Sequence, residues 1–77
     1  MNGRQLERNR GRIPRLVMHI ERCKAKAKAA AGTPMAEIQM ARVASFQAEL
    51  ERRLLEMQAA GHGKEAEKLM KVNILAR

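Results

Sequence analysis

From residue 13 onward the apolar positions repeat at three- and four-residue steps. Ile13, Leu16, Ile20, Cys23, Ala27 and Ala30 fall on one helical face, which narrows from large side chains to small ones. Pro14 suits the first turn of a helix, where its missing N–H costs no hydrogen bond, and Gly32 ends the run, so a first helix is predicted over about 14–31. Thr33 and Pro34 then make an N-cap and first-position pair, with Glu37 near the positive end of the following helix dipole. The next stretch holds no Gly or Pro after Pro34 and predicts a second helix over 34–60. Ala36, Met40, Val43, Phe46, Leu50, Leu54 and Met57 form one stripe along it, and Ala41, Ala44, Ala48, Leu55 and Ala59 a second. Two apolar faces imply two packing partners. Glu49 and Arg53 are spaced as an i,i+4 pair on the solvent side. Gly61, His62 and Gly63 break the helix, and a third is predicted over 64–76, with Ala66, Leu69, Val72 and Ala76 in line and Met70 and Ile74 beside them. Short connections make neighbouring helices antiparallel.

Residues 1–12 mix Gly3, Asn9 and Gly11 with arginines and carry no clean apolar period. Such a segment is expected to be a flexible Arg-rich arm ahead of a helical domain spanning 13–77. The fold class is therefore all-α: a helical hairpin plus a short C-terminal helix. Composition agrees, because the chain has no Trp, Tyr or Asp and one Phe, while the good helix formers dominate.

Composition also weakens the core. The 45% hydrophobic fraction includes thirteen alanines and six methionines, which leaves few large apolar side chains for 77 residues. At roughly 1.5–3 kcal/mol per buried large side chain, burial struggles against about 1.5 kcal/mol of ordering entropy per residue. One cysteine allows no internal disulfide, so a homodimer is expected to make up the deficit and a reducing, cytoplasmic location is the default. No apolar run approaches the length of a membrane span, and no apolar segment follows the basic N-terminus as a secretory signal requires.

Charge adds the functional signal. Residues 1–28 hold Arg4, Arg8, Arg10, Arg12, Arg15, Arg22, Lys24, Lys26 and Lys28 against Glu7 and Glu21, a net +7 of the chain's +8. An asymmetry of this kind marks an interaction segment, and arginine's planar fork suits phosphate better than lysine does. On a helix Arg15, Arg22 and Lys26 share one ridge and Lys24 and Lys28 another, flanking the Ile20 and Cys23 face that a dimer could bury. These nine cations are the candidate nucleic-acid-binding residues. A single Phe cannot build stacking platforms for open single strands, so the expected partner is duplex DNA or structured RNA. The rival expectation is a non-enzymatic inhibitor or adaptor whose basic face docks on an acidic protein surface. A membrane-surface role fits less well, because the first helix's apolar face decays into alanine and lacks aromatic anchors.

A different division makes residues 13–20 a strand followed by two helices, which over about residues 12–55 resembles a ribbon-helix-helix DNA-binding repressor. That resemblance implies paired strands from two chains reading the major groove. Pro14 inside the strand and an Ala- and Lys-rich first helix depart from its pattern. Arg10, Gly11 and Arg12 are similar to the minor-groove core of AT-hooks, with Ile13 interposed before Pro14.

Catalysis finds little to work with. His19 and Cys23 share a helical face and would supply half a metal site or a thiol with its base, but no third group accompanies them, and they read as a core cysteine with a histidine at its edge. Glu49 with Glu56 and Glu65 with Glu67 lie among compensating bases and read as solvated faces. No phosphate-binding glycine loop is present, and neither a catalytic residue nor a metal or other cofactor is expected.

Overall fold

The computed structural model describes the backbone of residues 1–75 and the side chains of residues 1–71. Three helices follow one another: α1 over Gly3–Ala29, α2 over Pro34–Ala59 and α3 over Gly63–Leu75. No strand occurs among the described residues, and residues 13–20 are helical, so the ribbon-helix-helix division does not hold. No helix among the described residues is long and apolar enough to cross a membrane.

The main departure from expectation is at the front. Residues 1–12 are not a flexible arm, because α1 starts at Gly3 and runs through Pro14. Asn2 caps it: its side chain accepts from the Gln5 N–H at 2.9 Å, and Gln5 returns the bond to the Asn2 N–H at 3.0 Å. A proline in a helix interior forfeits a backbone bond and costs about 3 kcal/mol. Long-range contacts offset that cost here. Arg10 bonds Glu65 of α3, Arg12 bonds Glu49 of α2, and buried Asn9 accepts from Arg53 of α2 at 2.8 Å.

The turns follow glycine chemistry. Gly32 and Gly61 each sit at φ 85°, a region that side chains disfavour. After α2, the His62 N–H bonds the Met57 carbonyl at 2.8 Å and the Gly61 N–H bonds the Gln58 carbonyl at 3.0 Å, the double closure of a Schellman motif. Thr33 occupies the expected N-cap position but does not cap by side chain. Its hydroxyl donates to the Ala30 carbonyl at 2.6 Å and closes the turn instead.

The core joins Ile13, Leu16, Val17, Ile20 and Cys23 of α1 to Val43, Leu50 and Met57 of α2 and Ala66 of α3, with Leu6, Phe46, Leu54, Leu69 and Met70 packed around them. The α1 face expected to meet a dimer partner is thus filled by the chain's own α2 and α3. The side chains of Val72 and Ile74, and Ala76, lie outside the described residues. On α2 the buried face is rotated slightly from the expected stripe: Gln39 is buried and Met40 is half exposed. Gln39 Oε1 has no hydrogen-bond partner among the described residues, and an unsatisfied buried oxygen costs about 1–3 kcal/mol. Gln39→Met, close in volume and without that oxygen, is expected to raise unfolding free energy by about 1 kcal/mol. Urea denaturation checks this, and a lower midpoint would show that Gln39 is satisfied in solution.

Candidate nucleic-acid interface

The helical front of α1 reorganises the nine candidate cations. At about 100° per residue, Arg4, Arg8, Arg15, Arg22 and Lys26 fall within an arc of roughly 40° on one side of the helix. All five are exposed, and none has an ion-pair partner among the described residues. From Arg4 to Lys26 the rise is about 33 Å at 1.5 Å per residue. That is close to the ~34 Å of one duplex turn. Glu7 and Glu21 point elsewhere on the helical wheel, so no acidic residue interrupts the row. Gly11, also exposed on that side, leaves the middle of the ridge without a side chain.

Four of the nine fall outside this row. Arg10 is held by Glu65 and Glu7, and Arg12 forks onto Glu49 at 2.7 and 3.0 Å. Both guanidiniums are bound more firmly to their protons by those carboxylates, first through hydrogen bonding to Glu65 and to Glu49 respectively. Their forks are occupied inside the fold, and their role is to hold α1 against its neighbours. Lys24 and Lys28 are exposed but away from the row, about 160° and 120° from Arg22 around α1.

Glu49 is the hub of the α1/α2 contact. It accepts from Arg12 and, at 2.8 Å, from Arg53, so the expected solvent-side pair is in fact a partly buried triad. Glu65 is likewise drawn out of the solvated role expected of it. The Arg12 hydrogen bond, aided by Arg53 against the opposing pull of burial, holds the Glu49 carboxyl down to about 2. Glu65 is lowered too, chiefly by Arg10. A carboxyl with a depressed folded value contributes stability above its unfolded value, and the contribution disappears as pH falls through the folded one. Stability is therefore expected to fall between about pH 5 and pH 2. For Glu49 the loss from neutrality to pH 3 is roughly 2 kcal/mol. Glu49→Gln removes this titration, so its urea midpoint is expected to vary less with pH than that of the native chain. Parallel pH profiles would contradict the triad.

Cys23 is a free thiol in the core, and His19 lies at its edge, stacked on Phe46 with ring centroids 5.3 Å apart. The only Phe is therefore half buried and already engaged. Sequence reasoning missed Arg42, which was counted within the near-neutral remainder of the chain. It stands beside Arg22 and Lys26, across the α1/α2 groove. The signal was available in the hairpin: with the turn at Gly32, residues 22 and 42 are equally far from it and come level.

No protein family, curated protein or solved structure matches this chain.

Proposed function

We propose that the protein is a small nucleic-acid-binding protein of regulatory or architectural type, which grips duplex DNA or structured RNA through the outer ridge of α1. The observation that carries this reading is the row of five cations, Arg4, Arg8, Arg15, Arg22 and Lys26, on one helix, with no ion-pair partner among the described residues. A salt-paired surface would be electrically quiet, whereas five cations without counter-charges create a linear positive field that matches a polyphosphate. Phosphate contacts carry no base information, so the ridge supports binding by shape and charge. Because Phe46 is engaged with His19, stacking on unpaired bases has no platform.

The experiment is fluorescence-polarisation binding to random duplex DNA and structured RNA over roughly 50–300 mM salt. Five phosphate contacts correspond to a slope of about −4.5 on B-DNA. Binding that is weak at low salt, or insensitive to salt, would exclude the ridge. Neutralising substitutions serve better than deletion of residues 2–12, which would also remove the cap, Asn9, Arg10 and Arg12 from the fold.

We propose further that the chain acts as a homodimer in the reducing cytoplasm, where its one thiol needs no partner. The face of α2 opposite the core supports this: Ala41, Ala44, Ala48, Leu55 and Ala59 are all exposed, Leu55 at 64%. Small side chains let a second helix approach closely, and an antiparallel copy centred between Ala44 and Ser45 sets Glu37 opposite Arg52 of the second copy. Ala48→Glu is expected to shift the chain to a monomer in sedimentation equilibrium, with helix content kept. An unchanged mass would place the contact elsewhere. The acidic-protein reading keeps one supporting observation, this same apolar face. A duplex-binding failure together with a stoichiometric protein complex would favour it.

A further inference from the structure

The ridge is convex, but near its C-terminal end it borders a cleft of about 390 Å³ between α1 and α2. His19, Arg22 and Lys26 of α1 line it from one side, and Arg42, Ser45 and Phe46 of α2 from the other. Among the described residues no carboxylate lines this cleft. Arg22, Lys26 and Arg42 are exposed and have no ion-pair partner among the described residues, so three cations converge without a counter-charge. This contrasts with the rest of the α1/α2 seam, where each arginine that faces inward meets Glu49. Cations held near one another repel, and an anion seated between them removes that cost. Arginine forks bond phosphate oxygens in pairs, lysine adds a point charge, and the Ser45 hydroxyl can donate. The stacked His19 and Phe46 rings wall one side and keep water from surrounding the ligand. A volume within the ~300–1,000 Å³ of small-ligand pockets leaves room for a phosphoryl group and part of the sugar attached to it.

We propose that this cleft is a phosphate seat, in which Arg22, Lys26 and Arg42 enclose one phosphoryl group while Ser45 donates to it. The inference deepens the nucleic-acid reading and rests on it only for the origin of the phosphate. The ridge supplies attraction along the backbone, and the cleft fixes where along it the protein sits. Arg42 and Ser45 belong to the binding surface although they lie outside the basic first third of the sequence.

Two measurements on the full chain test the proposal. In the first, inorganic phosphate is titrated while arginine side-chain and backbone amide signals are followed by NMR. Saturable shifts at Arg22, Arg42 and Ser45, larger than those at Arg4 and Arg8, are expected at about millimolar concentration. Shifts graded evenly over all exposed cations would overturn the seat. In the second, Arg42→Gln is compared with Lys64→Gln, which removes the same charge from exposed Lys64 on α3. Circular dichroism confirms that both variants fold. Arg42→Gln is expected to weaken duplex binding about tenfold and to reduce the salt slope by about one, with less than about twofold loss for Lys64→Gln. Equal losses would show that only net charge matters and would also overturn the seat. Duplexes with and without 5′-phosphates identify the source. Equal affinity assigns an internal backbone phosphate, and loss on dephosphorylation assigns a chain end. Phosphate shifts confined to the cleft, in a chain that binds no duplex, would sustain the seat and remove the nucleic-acid reading.

Discussion

Replacing Arg8, Arg15, Arg22 and Lys26 together by glutamine is expected to abolish measurable duplex binding at physiological salt while the chain remains helical. All four side chains are exposed and make no ion pair among the described residues, so their removal leaves the core contacts in place. Glutamine is itself a good helix former, and α1 keeps its cap and its ties to Glu49 and Glu65. Each phosphate contact contributes about 0.9 to the salt slope, so loss of four contacts is expected to reduce its magnitude by about 3.6. The comparison that gives this result its meaning is Lys24→Gln with Lys28→Gln, on the other side of α1, with a small effect expected. Equal losses from the two sets would mean that the chain binds through net charge and that the ridge has no special place.

Leu16→Ala is expected to leave the protein largely unfolded near body temperature. Leu16 is 0% exposed and sits at the centre of the cluster that joins all three helices. Deleting a buried leucine's methyl groups costs about 2–5 kcal/mol through lost transfer energy and the cavity left behind. A chain of this size has roughly 4–12 kcal/mol of total stability. At about 4–8 °C per kcal/mol for a domain of this length, Tm should fall by roughly 8–40 °C. Leu55→Ala is the control, because Leu55 is 64% exposed and lies outside the core cluster. A small loss at Leu16 would mean that the α1 seam is loosely packed and able to close over the gap. The ridge depends on this core, since an isolated 27-residue helix bearing so many like charges would not hold them in line.

Much of this arrangement can be read from residue order alone, and the exceptions have physical causes. The boundary at Gly32, Thr33 and Pro34 is local chemistry and falls where propensity puts it. So do the end of α2 at Gly61 and the apolar period of residues 13–27. The start of α1 is not local. Leu6, Asn9, Ile13 and Leu16 do follow helical steps, but the step at Asn9 is polar, and Gly11 and Pro14 read as breakers. What makes residues 3–13 helical is contact with distant partners: Asn9 with Arg53, Arg10 with Glu65 and Arg12 with Glu49. Each pair is 37 or more residues apart in the chain, beyond the reach of any periodicity argument. The same contacts divide the nine candidate cations, since a count of charge cannot distinguish an arginine that holds the fold from one that faces solvent. The heptad-like spacing of Arg8, Arg15 and Arg22 was visible throughout, but it becomes a ridge only once the front of the chain is known to be helix.

Mapping the duplex-bound surface tests the central claim most directly. An amide NMR titration of the full chain with a 12-base-pair duplex reports each residue's change at once. The largest shifts are expected along the α1 ridge at residues 4, 8, 15, 22 and 26 and onto Arg42, with residues 24 and 28 and the outer face of α2 little changed. Shifts centred on Ala41, Ala48 and Leu55, or no shifts at low salt, would contradict that claim.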